Sequence, residues 1–392
     1  MAVDTHPSTH PPLPPTTEDE RLSWLRLLRS RRVGIVTFYR LLTEHQSARA
    51  ALVALPDIAR AAGVSGYQPC PEAVALAELR AAAQAGARMI CVGAPDYPVD
   101  LLDIDDPPPI LWAIGDLGVL ARPKIGIVGA RNASSLGTRM ARAMATDLAE
   151  SGLVIVSGLA RGIDAAAHHA SLASGTIAMM AGGVDMLYPA ENADLASKII
   201  QTGLRLSEQP MGMQPQARHF PRRNRLVSGL SRAVVVIEAA ARSGSLITAR
   251  TALDQGREVL VVPGHPMDAR SAGCNMLIRD GARLVRNAAD VIEALPPQAA
   301  TRDPVQTALA LDTPVPSAPP PGAPRKRSLR ETAALHSEIL NRLGPTPLAE
   351  DQLIRDLGEE PRRIAPALVD LELSGQILRQ SGGLISRVPS NA

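Results

Sequence analysis

Residues 220–231, Phe-Pro-Arg-Arg-Asn-Arg-Leu-Val-Ser-Gly-Leu-Ser, hold the densest chemistry in the chain. Arg222, Arg223, Asn224 and Arg225 follow closely on Phe220, one of only two phenylalanines among 392 residues. From Arg218 to Arg250 seven arginines stand against a single acid, Glu238, in a chain whose formal net charge is +2. The remainder is therefore slightly acidic, and the positive charge is concentrated here. Guanidinium groups beside an aromatic ring suit a polyanion that carries bases to stack, which is the chemistry of single-stranded nucleic acid. Composition alone fits equally well a basic helix in an arginine-rich protein that has only Lys124, Lys198 and Lys326 as lysines.

Other candidate binding groups sit in small-residue turns. Gly129-Ala130-Arg131-Asn132-Ala133-Ser134, Ser157-Gly158-Leu159-Ala160-Arg161-Gly162 and Ser243-Gly244-Ser245 each follow a short apolar run. Glycine in such a turn lets an anion approach backbone N–H groups at a helix start. Simple turn geometry accounts for some of these glycines on its own. Arginine beside glycine-lined helix starts is nevertheless a phosphate-binding arrangement, and Arg131, Arg161 and the 222–225 group fall on one rim.

The same turns exclude several chemistries. A dinucleotide site wants G-x-G-x-x-G after the first strand and an acid about 20 residues on; this chain has Gly126 and Gly129 there, and its second strand ends in Ser157. No G-x-x-x-x-G-K-[ST] sequence occurs. His168 and His169 are adjacent, about 100° apart on a helix, and make a poor chelating pair. Asp164 is placed to favour a helix dipole, and Glu208 and Glu238 lack an evident carboxylate partner. No catalytic constellation, cofactor or metal site is expected.

The elements that must position these groups read clearly from residue 124 onward. Ile125–Val128, Leu153–Val156, Thr176–Met180, Ala233–Ile237 and Glu258–Val262 are short, mostly β-branched runs, with helical stretches at Gly137–Glu150, Ile163–Leu172 and Ser245–Gln255 between them. Strands buried on both faces and separated by helices form a doubly wound, mostly parallel α/β sheet of the Rossmann-like kind. Ligands on such sheets sit beyond the carboxyl ends of the strands.

The flanks have their own texture. Residues 1–17 are Pro/Thr-rich and read as a disordered tail. Residues 18–66 form a small helical domain of the SAM or helix-hairpin-helix type, with breaks expected at Gly34 and Pro56. A helix at Glu72–Gln84 and strands at Met89–Val92 and Ile110–Ile114 look like an attachment to the sheet, giving an extended Rossmann-like domain over 67–297. A Pro-rich spacer spans 298–333. Helices at Leu335–Leu343, Leu348–Leu357 and Arg362–Leu373 with strands Ile377–Arg379 and Leu384–Arg387 describe a winged helix at 334–389, suited to duplex DNA or to protein. No apolar run approaches the ~20 residues that span a bilayer. Three scattered cysteines, at 70, 91 and 274, and the lack of a signal pattern point to a reducing cytoplasm.

Taken in order, SGLARGIDAAAH (157–168), GGVDMLYPAEN (182–192), FPRRNRLVSGLS (220–231), SGSLITA (243–249), Val262-Pro263-Gly264, SAGCNML (271–277) and Asp280-Gly281-Ala282 closely resemble the DprA/Smf family of DNA-processing proteins. The resemblance covers roughly 85–295, and the flanks resemble the family's optional helical N-terminus and C-terminal winged helix. It implies a non-catalytic homodimer that binds and protects single-stranded DNA during natural transformation and loads the RecA recombinase on it. The family's Gly-Ser/Ala-Arg turn matches Gly129-Ala130-Arg131, and its F-P-x-R-N-R matches Phe220 to Arg225. Leu136 departs from the family, which commonly has an aromatic before the glycine corresponding to Gly137. Arg218 only approximates a basic residue that often precedes the F-P motif.

The expected site is therefore Arg131, Ser134, Arg161, Arg218, Phe220, Arg222, Arg223, Asn224, Arg225, Ser243, Gly244 and Ser245. Within it Arg131, Arg223 and Arg225 neutralise phosphates and Phe220 stacks on a base or shapes the pocket floor. Arg161 and Ser243–Ser245 line the same pocket, and Asn224 serves equally well to satisfy backbone groups internally. Two other readings stand beside this one. A nucleoside-monophosphate phosphoribohydrolase uses a related fold, but Ser243–Thr248 lacks that group's following glutamate. A winged-helix transcription factor with a sensor domain predicts sequence-specific duplex binding.

Overall fold

A computed structural model of the chain describes residues 13–295, 329–344, 348–357, 364, 367–368, 371, 376–380 and 384–387. The expected tail and spacer lie largely outside the described residues. The chain divides near residue 301 into two compact units.

The first unit opens with four helices: α1 (Glu18–Arg29), α2 (Ile35–His45), α3 (Ala48–Ala61) and α4 (Glu72–Gln84). Thr17 and Glu20 close a capping box at the start of α1, each accepting the other's backbone N–H at 3.2 Å. Gly34 caps α2, as the break there predicts. Pro56 does not break the chain: α3 runs through it. A proline inside a helix costs one backbone bond, and here Ala51, Leu52 and Leu55 are buried around it and hold the turn by packing.

Nine strands follow in one sheet, ordered β1-β2-β6-β5-β4-β3-β7-β8-β9. They are β1 (Arg88–Cys91), β2 (Ile110–Gly115), β3 (Lys124–Gly129), β4 (Val154–Ser157), β5 (Thr176–Met179), β6 (Leu204–Ser207), β7 (Ala233–Ile237), β8 (Glu258–Val261) and β9 (Arg283–Leu284). Seven strands, β3 to β9, are parallel, and β1 and β2 extend the sheet antiparallel through β6. From β3 the chain winds outward to β6, then crosses back so that β7 lies on the other side of β3. That reversal makes the β3/β7 boundary the topological switch point.

Helices α5 (Ser135–Glu150), α6 (Ile163–Ser171), α7 (Ala193–Thr202), α8 (His219–Gly229), α9 (Ser245–Asp254), α10 (Ala272–Arg279) and α11 (Ala288–Ala294) accompany these strands. Strand alternation separates two apolar layers. Ile125, Ile127, Ile155, Val235 and Ile237 pack with Met144 and Leu148 of α5. Val128, Val154, Val156, Val234 and Val236 face the other way, into a core that continues through Trp112 to Trp24 and Phe38. β6 escapes the periodicity because Leu204-Arg205-Leu206-Ser207 alternates polar and apolar residues yet is buried along its whole length.

The second unit contains α12 (Leu329–Arg342), β10 (Leu348–Ala349), α13 (Glu350–Leu357), β11 (Ile377–Gln380) and β12 (Leu384–Arg387). Its strands order as β10-β12-β11 over a core that includes Ile339, Leu353, Leu368 and Ile385. This is a winged helix. Leu348 and Ala349, expected in a helix, instead pair with β12. Most of the expected Arg362–Leu373 helix, with both of its arginines, lies outside the described residues.

One acid fastens the N-terminal helices to the sheet. Glu78 of α4 accepts both guanidinium bonds of Arg29, at 2.8 and 2.9 Å, and the Trp112 indole N–H at 3.0 Å. Both members of the ion pair are largely buried, so removing one leaves the other desolvated and alone. Glu78→Ala is expected to cost about 3 kcal/mol, read as a lower urea midpoint for the full chain. A shift within the error of a surface substitution would refute this.

Candidate nucleic-acid interface

The carboxyl ends of β3, β4 and β5 open onto a cleft of about 400 Å³. Arg131 enters from the β3 turn, Gly158 and Arg161 from the β4 turn, and Tyr188 and Glu191 from the segment after β5. Phe220, in the first turn of α8, closes it. The Arg131 guanidinium carbon lies 5.2 Å from the centre of the Phe220 ring, within cation–π range. The Tyr188 ring stands 5.9 Å from the same ring at 58°. Tyr188 is about half exposed, and its bond to Pro189 is cis.

Two backbone turns build the arginine side of this cleft by interlocking. The Ile163 N–H donates to the Ala130 carbonyl at 3.2 Å, and a Cβ on Gly162 would collide with that same oxygen. Gly162 also has a φ of +75°, so only glycine fits the position without strain. Leu159 lies nearby in the left-handed region with φ of 56°. Its carbonyl accepts from the Asn192 side chain at 2.9 Å, which ties the turn to the Tyr188 segment.

Beneath the turn lie two buried groups of opposite charge. Asp164 accepts the N–H groups of Gly158 and Ala160 at 3.1 and 3.3 Å. Burial pushes its carboxyl upward, and the nearby Arg223 opposes that shift. Arg223 is 5% exposed and donates from Nη1 to the carbonyls of Gly158 and Met179 and from Nε to Asn224 Oδ1. Burial lowers the guanidinium to about 10, Asp164 acting against the shift, so it remains a cation at neutral pH. A Cβ at Gly158 would run into the guanidinium.

The arginines of α8 thus divide between two tasks. Arg223 and Arg225, expected at phosphates, are both turned inward. Arg225 donates to the Asp106 carbonyl at 2.8 Å and pairs with the Asp106 and Glu208 carboxylates, with 11% of its side chain exposed. Burial raises Glu208 against the attraction of Arg225. Two apart on the helix, Arg223 and Arg225 point to nearly opposite sides of α8, and each is held inward by its own partners, the Gly158 and Met179 carbonyls for one and Asp106 and Glu208 for the other. Asn224 also bonds inside the protein, but to the Arg223 side chain rather than to the backbone groups expected of it. Arg218 and Arg222, four apart on the outer face, are exposed.

Two further expectations are corrected. Ser134 is not free to meet a ligand: its hydroxyl and N–H both bond the Glu238 carboxylate, and its Oγ accepts the Gly137 N–H at 2.9 Å as the cap of α5. Ser243, Gly244 and Ser245 do not line the cleft. They follow β7, on the other side of β3 from β4 and β5, and the two serine hydroxyls bond each other at 2.7 Å at the start of α9. Arg161 does line it, with 63% of its side chain exposed and Glu191 at 3.7 Å. An exposed pair of that kind is worth roughly 0–1 kcal/mol and leaves the arginine available.

Tyr188 lines the cleft without being among the expected site residues. Its signal was a Tyr-Pro dipeptide between glycine-rich and helical segments in a chain with 2% aromatics. His168 is fully buried. Its Nδ1 pairs with Thr176 Oγ1 at 2.9 Å, and burial lowers it to about 3. Among the described residues no group of three or more His, Cys, Asp or Glu is placed to hold a metal ion.

Known proteins share this fold and domain order. The family described as DNA recombination-mediator protein A matches residues 88–296, the DprA-like N-terminal HHH domain matches 18–81, and the DprA winged helix domain matches 323–383. Protein Smf of Escherichia coli is 36% identical over 301 residues, 74% of each chain. DNA processing protein DprA of Bacillus subtilis is 44% identical over 221 residues, 56% of this chain and 74% of that one. The X-ray structure of DprA from Streptococcus pneumoniae superposes with a TM-score of 0.61 at 36% identity, covering 70% of this chain and 98% of that chain. With a family match across the whole sheet and flanking domains matched on both sides, the chain belongs to the DprA/Smf family.

Proposed function

We propose that this protein binds single-stranded DNA across the rim above β3, β4 and β5, protects it, and hands it to the RecA recombinase during transformation. It does so as a homodimer in the cytoplasm. The observation that carries the reading is the Arg131 guanidinium set over the Phe220 ring, with Tyr188 beside it, at the mouth of an open cleft. A cation facing solvent beside the half-exposed Tyr188 ring and the partly buried Phe220 ring offers one partner for a phosphate and one for a base. Both are features of a nucleic-acid strand, and neither requires a particular sequence. Arg161, Arg218 and Arg222 extend the positive rim.

A binding role rather than a catalytic one is supported by where the acid–base groups are held. Asp164, His168 and Glu238 are each bonded inside the protein. The cytoplasmic assignment is consistent with three free, buried thiols, and no described helix is long and apolar enough to cross a membrane. Dimerisation and transfer to RecA rest on family membership.

Two substitutions separate binding from structure. Arg131→Ala is expected to weaken oligothymidine binding and to lower the salt slope by about one counterion's worth, with little change in melting temperature. Arg223→Ala instead strips the buried Gly158 and Met179 carbonyls of their donor and removes the cation near Asp164, and should destabilise the fold by roughly 3 kcal/mol. Fluorescence anisotropy at several salt concentrations, alongside thermal melting, reads both. An Arg131→Ala protein with an unchanged slope sinks the assignment.

Phe220→Ala should cost about 1–3 kcal/mol of binding, the usual value of one base–aromatic stack. A loss near zero would make the ring a packing element for Arg131 alone. Transfer itself is tested by RecA filament formation on single-stranded DNA coated with single-strand-binding protein. Wild type is expected to accelerate it and Arg131→Ala to do so poorly. Incubation with AMP should release no adenine, which disposes of the phosphoribohydrolase alternative.

A further inference from the structure

The β3/β7 switch point is where an open parallel sheet ordinarily receives a phosphate, against the N-terminus of the helix after the central strand. Here that helix is α5, and a carboxylate of the protein itself stands at its start. Glu238 follows β7 directly. Its Oε2 accepts the Ser134 N–H at 2.8 Å and its Oε1 the Ser134 hydroxyl. Gly137 is shaped to this group, since a Cβ there would fall 2.5 and 2.6 Å from the two carboxylate oxygens. Glu238 also adopts a φ of +50°, one of four described non-glycine residues in that region, a backbone cost that aims its side chain back across the switch point.

We propose that Glu238 is a specificity-determining residue: its carboxylate fills the switch-point anion site, so the fold refuses free phosphates and mononucleotides there. The same bond fixes Ser134 three residues after Arg131, and thereby positions the arginine turn. The start of α5 borders the cleft above β3, β4 and β5, but anion refusal there is measured with phosphate and without DNA, so its outcome does not depend on what occupies the cleft.

The test uses the full-length chain and inorganic phosphate. Wild type and Glu238→Ala are titrated with phosphate against chloride at matched ionic strength, with calorimetry and the thermal midpoint as readouts. The variant is expected to bind phosphate on the order of tenfold more tightly than wild type, because an anion then replaces the carboxylate at the helix start. A Glu238→Ala protein that is unfolded alone and restored by phosphate supports the proposal equally. A variant, folded or not, that responds to phosphate no more than wild type overturns it. Gly137→Ala reads the fit independently: the added methyl should lower the midpoint in wild type and be tolerated when Glu238 is alanine. Equal losses in the two backgrounds would also overturn the proposal.

Discussion

The cleft depends on one buried cation. Arg223 reaches from α8 under the β4 turn and holds the Gly158 and Met179 carbonyls together, with Asp164 compensating its charge. Neither charge is stable alone in such a place. Removing ions from water costs several kcal/mol each, and only their mutual attraction and the surrounding bonds offset this. The arrangement therefore exists as a unit. It requires a glycine at 158 to clear the guanidinium and an aspartate in the first turn of α6 to gather two N–H groups. Once these are in place the turn has a single shape, and Arg161 and the Arg131 backbone take their positions from it.

That dependence explains how one short helix serves two ends. Successive residues on α8 differ by about 100°, so Arg222 and Arg223 cannot face the same way. Arg223 and Arg225 brace α8 against β4, β5, β6 and the Asp106 segment. Arg218 and Arg222 remain on the solvent side of the same helix. A stretch of high charge thus supplies both the scaffold and part of the rim. The rigid half matters to the exposed half, because a cation held in position pays less entropy on binding than one on a mobile loop.

Much of this was legible in the sequence, and the remainder was hidden for identifiable reasons. The β-branched runs at 125–128, 233–237 and 258–261 are buried on both faces, so periodicity and composition agreed. β6 was not legible, because Arg205 and Ser207 mimic a half-exposed strand. The inward turn of Arg223 was not legible either. Its partners lie at positions 158, 164 and 179, and no local pattern links a helix arginine to carbonyls so far along the chain. Ser134 misled for the same reason, its partner Glu238 being 104 residues away. Asn224 sits next to the residue that it bonds, and there the internal role was open from the outset.

The aromatic residues carry the functional argument one step further. The chain has eight, at positions 24, 38, 39, 67, 97, 112, 188 and 220. The first six belong to the N-terminal helices and the β1–β2 edge, where Trp24, Phe38, Tyr97 and Trp112 are buried and Tyr39 and Tyr67 pack against that core. From Lys124 onward the core is built without aromatics, from Val, Ile, Leu, Ala and Met, and its two layers close well. Packing therefore does not explain Tyr188 and Phe220. Both rings nonetheless lie in the one cleft, brought together from 32 positions apart in the sequence, and Arg131 stands over one of them. The half-exposed Tyr188 ring forgoes free energy that burial would recover, and under the proposed binding of single-stranded DNA a flat apolar face would cover it. A nucleobase has such a face, and the phosphate attached to it matches the adjacent arginine.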